Sequence, residues 1–328
     1  MIPFDYIRPA TQKAALEAVT KDTKAKFIAG GTNLVDLMKR GIAAPEKLID
    51  INTLPLKAIE QQGKMIRIGA LAINGAMSEH PLIMQKFPLL SQALKAGASP
   101  QVRNMATAGG NLMQRTRCPY FYDTAMPCNK RQPGSGCSAL NGYNRMHAIF
   151  GTSTSCIAVH PSDMAIALAA LDANVIVSST RMERRIPILH FHRLPGNTPH
   201  IDNNLQPNEL ITAIEVPDNP ALAQRFSYTK IRDRASYAFA LVSLAAALDI
   251  KGNTIQSARL AMGGVAHKPW RLTEVEALLK GKAASKALFE EAAQLAIKEA
   301  KGYGHNNFKL KLVPNVIAHT LTTLSQLS

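Results

Sequence analysis

Lys26-Phe27-Ile28-Ala29-Gly30-Gly31-Thr32-Asn33-Leu34 reads as a short apolar strand, a glycine turn and the start of a helix. Leu34, Val35, Leu37 and Met38 continue at helical spacing, and Gly41 after Lys39 and Arg40 marks a helix stop. Leu48-Ile49-Asp50-Ile51 is again strand-like. Adjacent glycines permit positive φ and let the backbone approach a ligand without a Cβ in the way. Consecutive N–H groups then converge on an anion such as a diphosphate. Thr107-Ala108-Gly109-Gly110-Asn111 repeats the pattern. Neither turn fits G-x-G-x-x-G or the P-loop, so neither of those nucleotide folds is supported.

Between the second turn and Ser162 lie all four cysteines, Cys118, Cys128, Cys137 and Cys156, spaced C-x9-C-x8-C-x18-C. A structural zinc site usually contains a C-x2–4-C knuckle, and ferredoxin clusters carry C-x2-C steps. Both are missing. A [4Fe–4S] cluster in a looped insert, a zinc ion and disulfides all remain compatible with this spacing. The insert from Arg117 to Phe150 is rich in Pro, Gly and Asn and has little periodicity, so a metal or a covalent cross-link is expected to order it. Arg115, Arg117, Lys130, Arg131 and Arg145 surround the cysteines with positive charge.

Working outward, Met65 to Ile68 alternates like a strand, and Phe87 to Lys95 has a helical pattern ending at Gly97. Met164 to Ala173 is helical, Val175 to Val177 strand-like, and Glu209 to Val216 a strand closed by Pro217. Composition shifts near residues 218–225. Beyond it come strand-like runs at Phe226–Ile231, Phe239–Ile250 and Ala258–Met262, then helical segments at Leu272–Leu279 and Lys286–Lys301. Strands followed by helices predict an α+β unit with helices on one face of a sheet.

At 328 residues with 46% apolar residues, the chain has enough material for two substantial cores. No run of about 18 apolar residues predicts a membrane span, and the opening Met1 to Tyr6 has no export-signal pattern. The net charge of +15 is spread along the chain with aromatics at 5%, which argues against nucleic acid and fits either a basic face for an acidic partner subunit or a solvated surface.

The two glycine turns resemble the two FAD-diphosphate loops of the flavoprotein (medium) subunits of the xanthine dehydrogenase/molybdenum hydroxylase family. Pro161-Ser162-Asp163, Glu209 to Pro217, Tyr228-Thr229-Lys230-Ile231-Arg232 and Ala261-Met262-Gly263-Gly264-Val265-Ala266 resemble the same family in the right order. The long cysteine-bearing segment, with Arg115 to Asp123 and Asp233 to Ala238, resembles the branch whose flavin subunit carries an additional [4Fe–4S] cluster, as in bacterial periplasmic aldehyde oxidoreductases.

This resemblance implies an α+β fold: a two-part FAD-binding domain of the PCMH (vanillyl-alcohol-oxidase-like) type over 1–220, and a C-terminal flavoprotein domain over 221–328. The first would divide into about 1–55 and 56–220, with the cluster insert at about 112–160. It further implies that Lys26, Phe27, Ile28, Ala29, Gly30, Gly31, Thr32, Asn33 and Leu34 wrap the FAD diphosphate, with Thr107, Gly110 and Asn111 as the second loop. Asp163 would take ribityl or ribose hydroxyls, Ile211 would meet the cofactor through its backbone, and Lys230 would lie at the flavin's pyrimidine end. By local pattern alone, Asp163 reads as part of a helix cap and Lys230 as a surface strand lysine. Cys118, Cys128, Cys137 and Cys156 would hold the cluster. The implied partners are a small subunit with two [2Fe–2S] clusters and a large molybdenum-cofactor subunit, with no nucleic acid and no membrane. The implied compartment is the periplasm, reached by co-export with a signal-bearing partner; the cytoplasm is the alternative. No nucleophile–base pair appears, and His147, His160 and His267 read as structural or surface residues.

Overall fold

The computed structural model describes residues 1–327 and contains three sheets. β1 (Asp5–Ile7), β2 (Ala25–Ile28) and β3 (Lys47–Asp50) form a small parallel sheet in the order β1-β3-β2. β4 (Ile59–Gln62), β5 (Met65–Gly69), β6 (Asn174–Ser178), β7 (Glu183–Pro187) and β8 (Leu210–Pro217) form an antiparallel sheet ordered β4-β5-β8-β6-β7. β9 (Arg225–Ile231), β10 (Val242–Lys251), β11 (Thr254–Gly263) and β12 (Trp270–Arg271) form the third, ordered β12-β11-β10-β9. Helices and sheets are thus both present, as the α+β reading expects.

β10 explains how the third sheet is covered. Val242, Leu244, Ala246 and Leu248 belong to a core shared with the helices Thr273–Leu279, Lys286–Ala296 and Lys309–Ser325. The alternate residues Ala245 and Ala247 belong instead to a core shared with the helices Pro88–Ala96 and Asp163–Ala170. The strand period of two sends successive side chains to opposite faces. The C-terminal unit's own helices thus lie on one face of its sheet, as expected, while helices of the preceding unit cover the other, so the continuous apolar run in the central strand reflects burial on both. Small residues matter here, because a Cβ on Gly263 would meet Ile166 Cγ1 at 2.7 Å. The helix Asp163–Ala170 is buried from Met164 to Ala170, which its uniformly apolar sequence requires.

Three boundaries shift. The helix from Asp163 ends at Ala170, before Asp172 adopts φ +54°, and the segment from Lys286 ends at Ala296. The apolar run from Phe239 becomes strand only at Val242, because residues 232–241 form a loop. The helix Lys309–Ser325 is not anticipated, since Pro314 inside it is a breaker by local rules. Its Val313, Ile317, Leu321 and Leu324 carry the period and are buried. No helix of the described residues is long and apolar enough to cross a membrane.

Candidate functional site

The two glycine turns pack against each other. Gly30 lies so close to the approach to the second turn that an added Cβ would fall 1.8 Å from the Met105 carbonyl oxygen. Gly31 follows at φ +70°, where a side chain is strained. Lys26 and Thr32 are exposed, while Phe27, Ile28, Ala29, Gly30, Gly31, Asn33 and Leu34 are half-buried. Asn33 reaches back to the second turn, accepting at Oδ1 from the Arg115 backbone N–H at 2.9 Å. Its Nδ2 is buried and has no hydrogen-bond partner among the described residues.

The second turn is a short helix, Ala108–Leu112, capped by Thr107, whose Oγ1 accepts from the Gly110 N–H at 3.2 Å. Backbone bonds from Ala108 N to Ala72 O and from Gly109 N to Ala70 O fasten it to the chain just after β5. Ile211 packs behind it, with its Cγ2 3.6 Å from where a Gly109 Cβ would stand. His192 holds the helix end, donating from Nε2 to the Leu112 carbonyl at 2.9 Å. Gly110 is exposed and Asn111 half-buried.

Ser162 links this cradle to a cavity of about 120 Å³ at the start of the helix Asp163–Ala170. Its hydroxyl donates to Asn111 Oδ1 at 2.6 Å and accepts from the Ala165 N–H as an N-cap. Asp163, Phe239, Gly264, Thr116 and Cys118 line that cavity. Asp163 is already engaged. Tyr228 donates to its Oδ1 at 2.6 Å and Lys230 to its Oδ2 at 2.8 Å. Lys230 also donates to the Ala96 carbonyl at 3.0 Å and is 4% exposed, so the surface-lysine pattern is corrected. Strand alternation gave no hint of this, because the helix Pro88–Ala96 covers that face of β9. Burial, then the Asp163 carboxylate, raises the Tyr228 phenol well above its usual pKa.

Sharing Thr116 and Cys118 with the first, a second and smaller cavity is lined by all four cysteines. They are free thiols. Cys128 and Cys137 pair across a β-bridge, and Cys137 and Cys156 share a hydrogen bond. That bond lowers Cys137 to about 6 and raises Cys156, whereas burial pushes Cys118 up to about 12. Among the described residues, no three Cys, His, Asp or Glu side chains are grouped to hold a single metal ion.

The basic residues of the insert are largely neutralised. Arg115 and Lys130 pair with Asp202 at 2.6 and 2.5 Å, Arg117 with Asp36 at 3.4 Å, and Arg145 with Asp233 at 2.6 Å. Arg131 donates to the carbonyls of Tyr120 and Phe121 at 2.8 and 2.9 Å. The expected shell of free positive charge is thus a set of structural ties. Asp202 and Tyr228 were not singled out by sequence, since nothing local marks their partners.

Four of the nine histidines are buried. His147, His160, His192 and His267 are 2–8% exposed, and the His160 and His192 rings stand 4.0 Å apart. Burial holds His147 and His192 down to about 4 and the other two well below the usual range. The surface half of the histidine expectation is overturned.

Residues 2–219 match the family described as FAD binding domain in molybdopterin dehydrogenase, and residues 226–324 that described as CO dehydrogenase flavoprotein C-terminal domain. The chain is 48% identical over 325 residues to the aldehyde oxidoreductase FAD-binding subunit PaoB of Escherichia coli, covering 98% of each. It is 30% identical to the glyceraldehyde dehydrogenase medium chain of Sulfolobus acidocaldarius, covering 88% of this chain and 85% of that one. Among solved structures, a chain of the Hydrogenophaga pseudoflava carbon monoxide dehydrogenase superposes with TM-score 0.76 at 26% identity, covering 98% of each. The contacting glycine turns, their link through Ser162 to a cavity beside Asp163, and these matches over nearly the whole length lead to one assignment: the chain belongs to the FAD-binding medium subunits of the molybdenum hydroxylase family, and is an oxidoreductase subunit.

Proposed function

We propose that this chain is the FAD and [4Fe–4S] electron-transfer subunit of a molybdenum-containing aldehyde oxidoreductase. In this reading it takes electrons from [2Fe–2S] clusters of a small partner subunit and passes them to an external acceptor. The aldehyde itself is oxidised on a large molybdenum-cofactor subunit. Co-export with a signal-bearing partner would place the complex in the periplasm. The observation that carries the proposal is the contact between the two glycine turns, which leaves backbone with no room for a Cβ at Gly30 and one buried, unpaired amide donor at Asn33 Nδ2.

Bound FAD would supply a carrier that accepts electrons one at a time from one-electron clusters and passes them on to the acceptor. Around it, the chain's residues bind and orient. Gly30, Gly31, Thr32 and Asn33 of the first turn and Gly110 and Asn111 of the second would hold the diphosphate with their donors. Asp163 sits where it can accept from the cofactor's hydroxyls while Tyr228 and Lys230 hold its carboxylate in place. Lys230, which the resemblance puts at the pyrimidine end, would favour the anionic reduced flavin.

Four thiols around a cavity rather than around a point suit a cubane, in which each thiolate takes its own iron corner, better than a single tetrahedral zinc. The cluster reading rests on this and on the resemblance. Anaerobic purification with flavin and iron quantified tests it: about one flavin and about four irons per chain are expected. Flavin without iron in anaerobic preparations would remove the cluster and favour a flavin oxidoreductase with a disulfide- or zinc-stabilised loop. Cys128→Ser should lose the iron and keep the FAD; unchanged iron removes Cys128 from the ligands.

A further inference from the structure

Cys118 stands where the two cavities meet, since it lines both the larger one beside Asp163 and the smaller one among the cysteines. His147 lines the larger cavity as well, and its Nε2 lies 3.1 Å from Cys118 Sγ. It is the histidine that touches one of the four thiols by hydrogen bond.

His147 is anchored from behind. Its carbonyl accepts from Lys309 Nζ at 2.9 Å and from Asn306 Nδ2 at 3.3 Å. Lys309 is fully buried at the start of the C-terminal helix and also donates to the Gly264 carbonyl at 2.6 Å. Tyr120 flanks the imidazole, with ring centroids 6.3 Å apart. The proton of a neutral ring belongs where an acceptor exists. Nδ1 is buried without a hydrogen-bond partner among the described residues, and Nε2 faces sulfur, so against a deprotonated, ligating Cys118 the Nε2–H tautomer is the one that pairs.

We propose that His147 is a positioning residue for the thiol site: its Nε2–H donates to the Cys118 sulfur and would raise the reduction potential of an iron–sulfur group held by the four cysteines. The inference rests on the reading of the four cysteines as cluster ligands. The physical reason is general. A donor to a ligand sulfur withdraws electron density and stabilises the more negative, reduced state. Lys309 and Asn306 fix the backbone from which the ring reaches the sulfur, so the bond holds across the junction between insert and C-terminal helix.

The test uses the whole chain with its partner subunits, prepared anaerobically as wild type, His147→Phe and His147→Gln. Iron and flavin are counted, and the cluster is titrated potentiometrically by EPR. His147→Phe fills the space without a donor; it should retain iron and flavin and shift the cluster midpoint to a more negative potential. His147→Gln keeps an amide donor at similar reach and should recover most of the wild-type midpoint. An unchanged midpoint in an iron-replete His147→Phe overturns the proposal. Should that variant lose iron, His147→Asn, too short to reach the sulfur, takes its place with the same expected shift. Iron loss from all three variants assigns His147 to scaffolding and also overturns the proposal. Wild type without iron would instead remove the ligand reading beneath it.

Discussion

The turns Ala29–Asn33 and Thr107–Asn111 share the motif Ala-Gly-Gly yet are built differently. In the first, Gly31 takes a left-handed φ of +70°, and Asn33 before the helix Leu34–Lys39 makes no side-chain cap. In the second, both glycines lie inside the helix Ala108–Leu112, and Thr107 caps it. The first turn needs glycine for backbone conformation at Gly31 and for closeness at Gly30. The second needs it for closeness alone, with the Ala70 Cβ 3.1 Å from a Cβ on Gly109. Similar letters therefore serve one cradle by two physical routes, and the neighbours decide which.

The largest effect should come from Gly30→Ala, whose Cβ has no position free of the Met105 carbonyl 1.8 Å away. Overpacking against backbone should cost about 3 kcal/mol and expel flavin. Thermal unfolding and flavin content measure both; a stable, yellow variant would break the idea that the turns are pressed together.

Acid should loosen the second turn before the first. His192 has its pKa lowered to about 4 by burial and holds the Leu112 carbonyl. Asp202 and Lys268 face it, and the His160 ring lies 4.0 Å away. The unfolded histidine titrates near 6.5, so between about pH 6.5 and 4 the unfolded chain binds the extra proton and stability falls as pH falls, by at most roughly 3 kcal/mol for this group. Denaturant midpoints at pH 7 and 5 should show the decline. Hydrogen exchange at pH 5 should show amides near Leu112 opening before those near Asn33; the reverse order would invert the comparison.

Thr107→Ala removes a cap that the first turn lacks and should cost about 1 kcal/mol by chemical denaturation. The smallest effect belongs to Thr32→Ala. Thr32 is exposed, so stability should stay within about 0.5 kcal/mol. Flavin retention should nevertheless weaken if, as we propose, the hydroxyl meets the diphosphate. Equal loss of stability and flavin would show that Thr32 is structural.

The sequence by itself determined what local rules carry: strand-turn-helix at Lys26–Met38, several short apolar strands, the longer helices near Pro88, Asp163, Thr273 and Lys286, and the gathering of four cysteines in an aperiodic insert. Those follow from side-chain period and glycine conformation, which neighbours in the chain impose. The tertiary structure alone decided which residues meet across distance. It brought Gly30 against Met105, Ser162 against Asn111, Lys230 and Tyr228 against Asp163, and His147 against Cys118. It also turned a lysine on a strand into a buried ion pair, and a proline-bearing segment into the helix Lys309–Ser325. Burial and electrostatics depend on what packs above a residue, and no spacing along the chain records that.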